Sequence, residues 1–249
     1  MSDLVEIWSD ALFAVESGAG SPIILLHGGL ANHLACRGFA APLMSTYRVI
    51  TPDLRGSGKS IFAGELSWDR FADDVAALMR HLGLAKAVIG GVSFGSGVAV
   101  RTALRHPQLV DKLVLLTPAF AGTDVGLTSA QADAMRAMDA VGSRAVAEGI
   151  EVIFPLFDRL PPEIRDRIRR VAAHYDPASV AASTRFMASG AQPFGTASEL
   201  AAITAPTVVV PGTDPYHPAE FAELYARHLP RCTIRHTTDY AQAIAELVS

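Results

Sequence analysis

Apolar runs and helical stripes alternate along the first half of the chain. Residues 4–8 and 12–16 read as a short starting hairpin around Ser9 and Asp10. Residues 23–26 are apolar on both faces, the mark of a buried strand, and residues 48–51 form another, closed by Pro52. From 68 to 82 the period changes: Phe71, Val75, Leu78, Met79 and Leu82 share one helical face. Ser67 is suited to cap that helix and Gly83 to stop it. A strand at 87–89, a helix at 97–105 ended by His106-Pro107, and a strand at 112–116 follow. Strands apolar on both faces, alternating with helices, predict a parallel sheet covered on both sides.

The alternation stops between residues 122 and 195. That stretch contains no strand-like run, only helical segments rich in Ala, Arg and Met, broken by Pro155, Pro161, Pro162, Pro177 and Pro193. It reads as a helical cap inserted into a core made of residues 1–121 and 196–249. Its charged run at 163–170 fits a solvated helix face. Phe154, Phe157, Phe186 and Met187 are candidates for a pocket lining, although such side chains also serve as packing. The alternation resumes with a strand at 207–210, a helix at 218–229, a strand at 233–235 and a helix at 240–248.

Composition narrows the partners. The chain has 249 residues, half of them hydrophobic, which suits one sizeable domain with an insertion. A net charge of −4 gives no footprint for nucleic acid or an anionic membrane. Cys36 and Cys232 are far apart and match no metal spacing, so they read as free thiols in a reducing compartment. The first ten residues lack a signal-peptide pattern, and no apolar run approaches the ~18 residues of a bilayer span. The expectation is a soluble, cytoplasmic protein acting on a small molecule. The oligomeric state is open, a homodimer included.

One serine carries the candidate chemistry. Gly91-Val92-Ser93-Phe94-Gly95 follows an apolar strand and leads at once into a helix. A G-x-S-x-G turn in that context is too tight for side chains beside the serine and lifts its hydroxyl to the end of a sheet. The plainer alternative is a glycine-rich strand-to-helix turn with an ordinary serine.

Three further motifs stand in order around it: Leu25-Leu26-His27-Gly28-Gly29, Asp53-Leu54-Arg55-Gly56-Ser57-Gly58-Lys59-Ser60 and Val209-Val210-Pro211-Gly212-Thr213-Asp214. With these four the chain resembles the α/β-hydrolase fold over nearly its whole length. The resemblance implies a mostly parallel, eight-stranded sheet with flanking helices and a helical cap. It implies Ser93 as nucleophile, Asp214 as the acid that orients a histidine, and the N–H groups of Phe94 and Gly29 as an oxyanion hole, with Leu30 the next candidate. His27 would support its loop. Asp214 could also be a turn aspartate before Pro215. Gly58-Lys59-Ser60 is not a phosphate loop, because position 53 is Asp where that motif requires Gly. Arg55 and Asp53 instead read as ties between strands and helix. No metal or organic cofactor is implied.

The chain departs from the family at the base. The loop after the last strand, which in the family often reads Gly-x-Gly-His, is shortened here to Arg235-His236-Thr237-Thr238-Asp239. A serine hydroxyl needs a base within hydrogen-bond reach. His236 is the preferred candidate, with a solvent-facing strand end as its plain alternative. His33, expected to face the pocket, His217, three residues after Asp214, and His174 are others, each also readable as structural. His81, His106 and His228 read as surface or capping residues. The leading expectation is a hydrolase of a small apolar ester or lactone. The alternatives are a non-hydrolytic enzyme performing elimination, cyclisation or isomerisation, and a silent ligand-binding protein.

Overall fold

The computed structural model describes residues 4–158 and 160–248. Residues 1–3, 159 and 249 belong to the expected core and cap spans and lie outside the described residues. Eight strands form one sheet in the order β1-β2-β4-β3-β5-β6-β7-β8. They are β1 Val5–Trp8, β2 Phe13–Ser17, β3 Pro22–Leu26, β4 Arg48–Pro52, β5 Ala87–Val92, β6 Val110–Leu116, β7 Thr207–Val210 and β8 Cys232–Ile234. Only β1–β2 and β2–β4 pair antiparallel; from β4 to β8 every pairing is parallel. This is the mostly parallel, eight-stranded arrangement that the resemblance implies, and its parallel part is what the strand and helix pattern predicts. The main helices are α1 Trp68–His81, α2 Phe94–Arg105, α3 Ser129–Gly142, α4 Pro162–Ala172, α5 Pro177–Ala188, α6 Ala219–His228 and α7 Tyr240–Val248.

The central strands β3 to β7 have almost no polar face because helices cover the sheet on both sides, whereas the edge strand β1 is largely exposed. Ile24, Leu26, Ile50, Ile89, Leu113, Leu115 and Val209 join α1, α2 and α6 in one buried cluster. Their neighbours Ile23, Leu25, Val49, Val88, Val114, Leu116, Val208 and Val210 join Cys36, Leu43 and α7 in a second cluster on the other face. Alternate side chains thus bury on opposite sides, each large one contributing about 1.5–3 kcal/mol. Local signals set the helix ends. Ser67 accepts from Arg70 N at the start of α1, and Gly83 turns away at φ 66 just beyond its end.

Between β6 and β7 the described residues contain helices and no strand. Besides α3, α4 and α5 there are short helical turns at Ala145–Glu148 and Ile150–Phe157. Phe157, Ile153, Ala172, Tyr175 and Val180 give this segment a small core of its own. It is tied to the sheet region by Ser183 Oγ donating to Gly56 O at 3.0 Å and by Phe62 N donating to Ser179 Oγ at 2.9 Å. The charged run lies on α4, mostly exposed.

Behind the strand ends, Asp53 is fully buried and accepts from three donors: His33 N, His33 Nδ1 and Lys59 N, at 2.7, 2.7 and 2.8 Å. Burial pushes the carboxyl pKa up, but His33, the nearby His27 and the backbone donors outweigh it and hold it below the usual range. Arg55 ties the same loop to α1 through a two-point ion pair with Asp74, at 2.7 and 2.5 Å. A carboxylate with a depressed folded pKa contributes stability above its unfolded pKa, about 3.9, and loses it as pH falls through the lower folded value. Asp53→Asn should therefore destabilise the protein by about 1–3 kcal/mol at neutral pH and flatten the loss of stability as pH falls below about 4. Denaturant unfolding from neutral pH into the acid limb checks both; an unchanged acid limb would show that Asp53 does not contribute it.

Candidate active site

The end of β5 is forced into a tight reversal. Ser93 sits at φ 52, ψ −113, and α2 begins with the next residue. A Cβ on Gly91 would lie 2.1 Å from Gly95 O, and one on Gly95 would lie 2.4 Å from Leu26 O. Both positions therefore exclude every other residue, which is the physical content of the G-x-S-x-G pattern. The strained serine is anchored by Ser93 N donating to Leu116 O at 3.0 Å and by Ser96 N and Oγ donating to Ser93 O at 3.0 and 2.5 Å. Among the described residues the non-glycine positions with positive φ are Leu30, Ser93 and Thr117. They follow β3, β5 and β6, so backbone strain of about 1–3 kcal/mol per residue gathers at the carboxyl end of the sheet.

Ser93 Oγ meets His217 Nε2 at 2.8 Å. The other ring nitrogen, Nδ1, lies 2.9 and 3.0 Å from the two carboxylate oxygens of Asp214. With the carboxylate as acceptor, Nδ1 carries the proton and Nε2 is left to accept from the serine. Asp214 also accepts from Tyr216 N at 2.8 Å and His217 N at 3.1 Å, closing a four-residue turn just after β7. Partial burial acts to raise its pKa, but the His217 ring and the two N–H groups prevail and hold it low. Gly212 gives the ring its room: a Cβ there would stand 2.2 Å from both the Cβ and the carbonyl oxygen of His217.

The expectation that His236 would stand beside Ser93 is corrected here. His236 is exposed two residues after β8, and the shortened connection runs straight to α7. The ring that reaches the serine comes from the β7 loop, on the same turn as Asp214. The signal was the spacing Asp214-Pro215-Tyr216-His217, which puts a carboxylate and an imidazole within one turn. His33 does not face a cleft as expected; its ring is committed to Asp53. Phe154 lies under the Arg169 guanidinium, and Phe157 is buried in the small core of the helical segment. Neither borders Ser93.

The loop after β3 lies against the serine, with Gly28 abutting Ser93 and Gly29 abutting Phe94 and Met187. His27, buried, accepts from Leu54 N at 3.0 Å through Nε2, so its Nδ1 donates to Gly28 O at 2.7 Å. Burial lowers its pKa, and a neutral ring is what both bonds require. A cleft beside this loop is walled by Leu30, Leu54, Phe71, Phe94, Phe186 and Met187, with Arg55, Ser57 and Ser183 at its border. Phe94 stacks on Trp68 at 4.9 Å and meets Phe71 edge-on at 5.2 Å, joining the elbow to α1 in one aromatic wall.

A sheet of this order with a serine elbow at its centre defines the class of α/β hydrolases. The chain belongs to that family: a sequence model described as alpha/beta hydrolase fold matches residues 21–235. It is 40% identical over 119 residues to the AB hydrolase superfamily protein YisY of Bacillus subtilis, covering 43% of this chain and 41% of that one. It is 34% identical over 106 residues to 2-hydroxymuconate semialdehyde hydrolase of Pseudomonas sp., covering 41% and 38%. The chain thus spans less than half the length of these two relatives. A thermophilic esterase from Thermogutta terrifontis superposes with a TM-score of 0.80 at 28% identity, over 99% of this chain and 98% of that one. An esterase from Exiguobacterium antarcticum repeats the fold with a TM-score of 0.76 at 22% identity, over 94% and 90%. No helix among the described residues is long and apolar enough to cross a membrane.

If the His217 ring depends on the space above residue 212, Gly212→Ala should displace it while sparing the sheet. Turnover should fall about a hundredfold with a melting shift of only about a few degrees. Activity close to that of the parent, with the substituted loop folded, would show that the turn has other room for the ring.

Proposed function

We propose that the chain is a serine hydrolase of small, largely apolar carboxylic esters or lactones, working through an acyl-enzyme at Ser93. The observation that carries this reading is the continuous hydrogen-bonded series from Ser93 Oγ through His217 to Asp214. His217 Nε2 takes the serine proton as Oγ attacks the acyl carbon, and Asp214 holds the ring and stabilises its cationic form. Charge then develops on the carbonyl oxygen. Phe94 N–H, unpartnered within its helix as the first residue of α2, and Gly29 N–H are the donors assigned to it. The protonated ring returns its proton to the departing alkoxide, which leaves as an alcohol, or stays tethered in a lactone. Water, deprotonated by His217, attacks the acyl carbon; expulsion of Ser93 Oγ, which takes the proton back, yields the carboxylic acid.

The cleft supports this substrate class. Its wall is aromatic and aliphatic, and Arg55 at its border is already neutralised by Asp74, which favours an uncharged ester. The helical segment 122–195, which supplies Phe186 and Met187, is assigned as the cap. The whole-length likeness to the Thermogutta esterase supports an ester over another acyl derivative. A base already hydrogen-bonded to the serine argues against a silent ligand binder.

Labelling with a fluorophosphonate tests the reading. Ser93→Ala should abolish it, and His217→Gln should lower turnover of p-nitrophenyl butyrate ~10³-fold or more. His236→Ala should leave both unchanged. Full labelling of His217→Gln would remove His217 as the base. Met187 closes the cleft over Gly29, its Sδ standing 2.7 Å from where a Cβ on Gly29 would be. Met187→Ala should raise the kcat/KM of p-nitrophenyl octanoate relative to the butyrate about five- to tenfold. An unchanged ratio would place the acyl chain elsewhere.

A further inference from the structure

We infer that Gln131, a residue of the helical segment, is a positioning residue for the Asp214–His217 turn. The inference rests on the proposed role of His217. Gln131 lies in the first turn of α3 and is buried to 1% exposure. Its Nε2 donates to Tyr216 O at 2.8 Å and to Ala119 O at 2.8 Å. Its Oε1 accepts from Thr128 N at 2.9 Å, within a reciprocal cap in which Gln131 N donates to Thr128 Oγ1 at 3.2 Å. Two carbonyls and one N–H around a single amide fix which end carries the nitrogen. Both amide hydrogens are thereby used, and an amide is the neutral group that can meet this set.

The place of the bond gives it meaning. Tyr216 lies between Asp214 and His217, and its N–H already donates to the Asp214 carboxylate. Gln131 holds the opposite pole of the same residue, the carbonyl of the peptide that leads into His217. The turn itself is poorly buried, with Tyr216 at 42% exposure and the Asp214 side chain at 49%. Without an outer anchor a four-residue exposed turn has freedom to rock, and a shift near 1 Å in the ring costs on the order of a hundredfold in rate. Ala119, the second carbonyl, follows Thr117, the strained residue that donates its N–H to Val210 O at the end of β7. One amide therefore ties the start of the helical segment to the loops after β6 and β7 together. The helical segment contributes to the ring's orientation as well as to the cleft.

Gln131→Met keeps the volume and removes the donors and the acceptor. It should lower kcat about ten- to a hundredfold while KM for p-nitrophenyl butyrate stays within about twofold. The strongly deshielded proton resonance of the His217 Nδ1–H···Asp214 bond should broaden or vanish. Gln131→Glu keeps the shape and the acceptor for Thr128 N but turns an acceptor toward Tyr216 O; it should lose kcat likewise and serves if the methionine variant fails to fold. Thr128→Ala weakens the same helix start while leaving the bond to Tyr216 in place, so its kcat should stay within about threefold. Folded Gln131 variants with parental kcat, or a Thr128→Ala loss as large as that of Gln131→Met, would overturn the inference. If His217→Gln is inactive while Gln131→Met is not, this inference alone fails; if His217→Gln is active, the proposed base fails first.

Discussion

The 2.8 Å contact between Ser93 and His217 depends on two backbone reversals meeting at the carboxyl end of one sheet. The first, at Gly91–Gly95, forces Ser93 to φ 52 because the chain passes against the carbonyls of Leu26 and His27. The second, after β7, folds His217 back over Gly212. The first is strained, and the second is a short, exposed turn closed by the Asp214 carboxylate. Both are positioned by strands β3, β5, β6 and β7, whose parallel register is fixed by burial on both faces. The hydrophobic effect in the sheet thus supplies the free energy that holds a polar site in an uncomfortable geometry.

Placing a carboxylate and an imidazole on one turn changes how their alignment is secured. When acid and base lie on separate loops, their distance depends on the packing of two strands. Here the Asp214 carboxylate binds Tyr216 N, His217 N and the His217 ring, so three donors within three residues set the distance. The alignment becomes local, and the connection after β8 is free to be short. That connection leads directly into Tyr240, whose hydroxyl is hydrogen-bonded to Thr117 and held high in pKa by burial and by the nearby Asp214 charge. A phenol that stays neutral there leaves the carboxylate as the anion available to the ring.

The sheet was legible because burial writes itself into strands as unbroken apolar runs, and helix α1 because its stripe, Ser67 and Gly83 agree. The elbow was legible for a steric reason: two glycines flank a serine wherever backbone atoms crowd to within 2.5 Å of a would-be Cβ. The imidazole partner was not. An aspartate followed three residues later by a histidine also suits an ordinary turn, and sequence alone carries no distance from residue 217 to residue 93. The fold's usual order of acid and base, strand by strand, pointed instead to His236. His33 misled for a related reason: it lies near the pocket in sequence, while its direction is set by Asp53, twenty residues further on.

The helical segment shows the same division between what a pattern specifies and what packing decides. Its proline breaks and helix periods predict helices, and helices form. Which side chains reach the cleft depends on how α5 lies over the loop after β3, and that crossing brings Phe186 and Met187 inward while Phe154 meets Arg169 and Phe157 turns into the segment's own core. Met187 over Gly29 and Ser183 on Gly56 are contacts between elements more than a hundred residues apart. A side chain at 29 would have to displace the thioether above it. Cleft shape and loop backbone in this protein constrain one another across the boundary between sheet and helical segment.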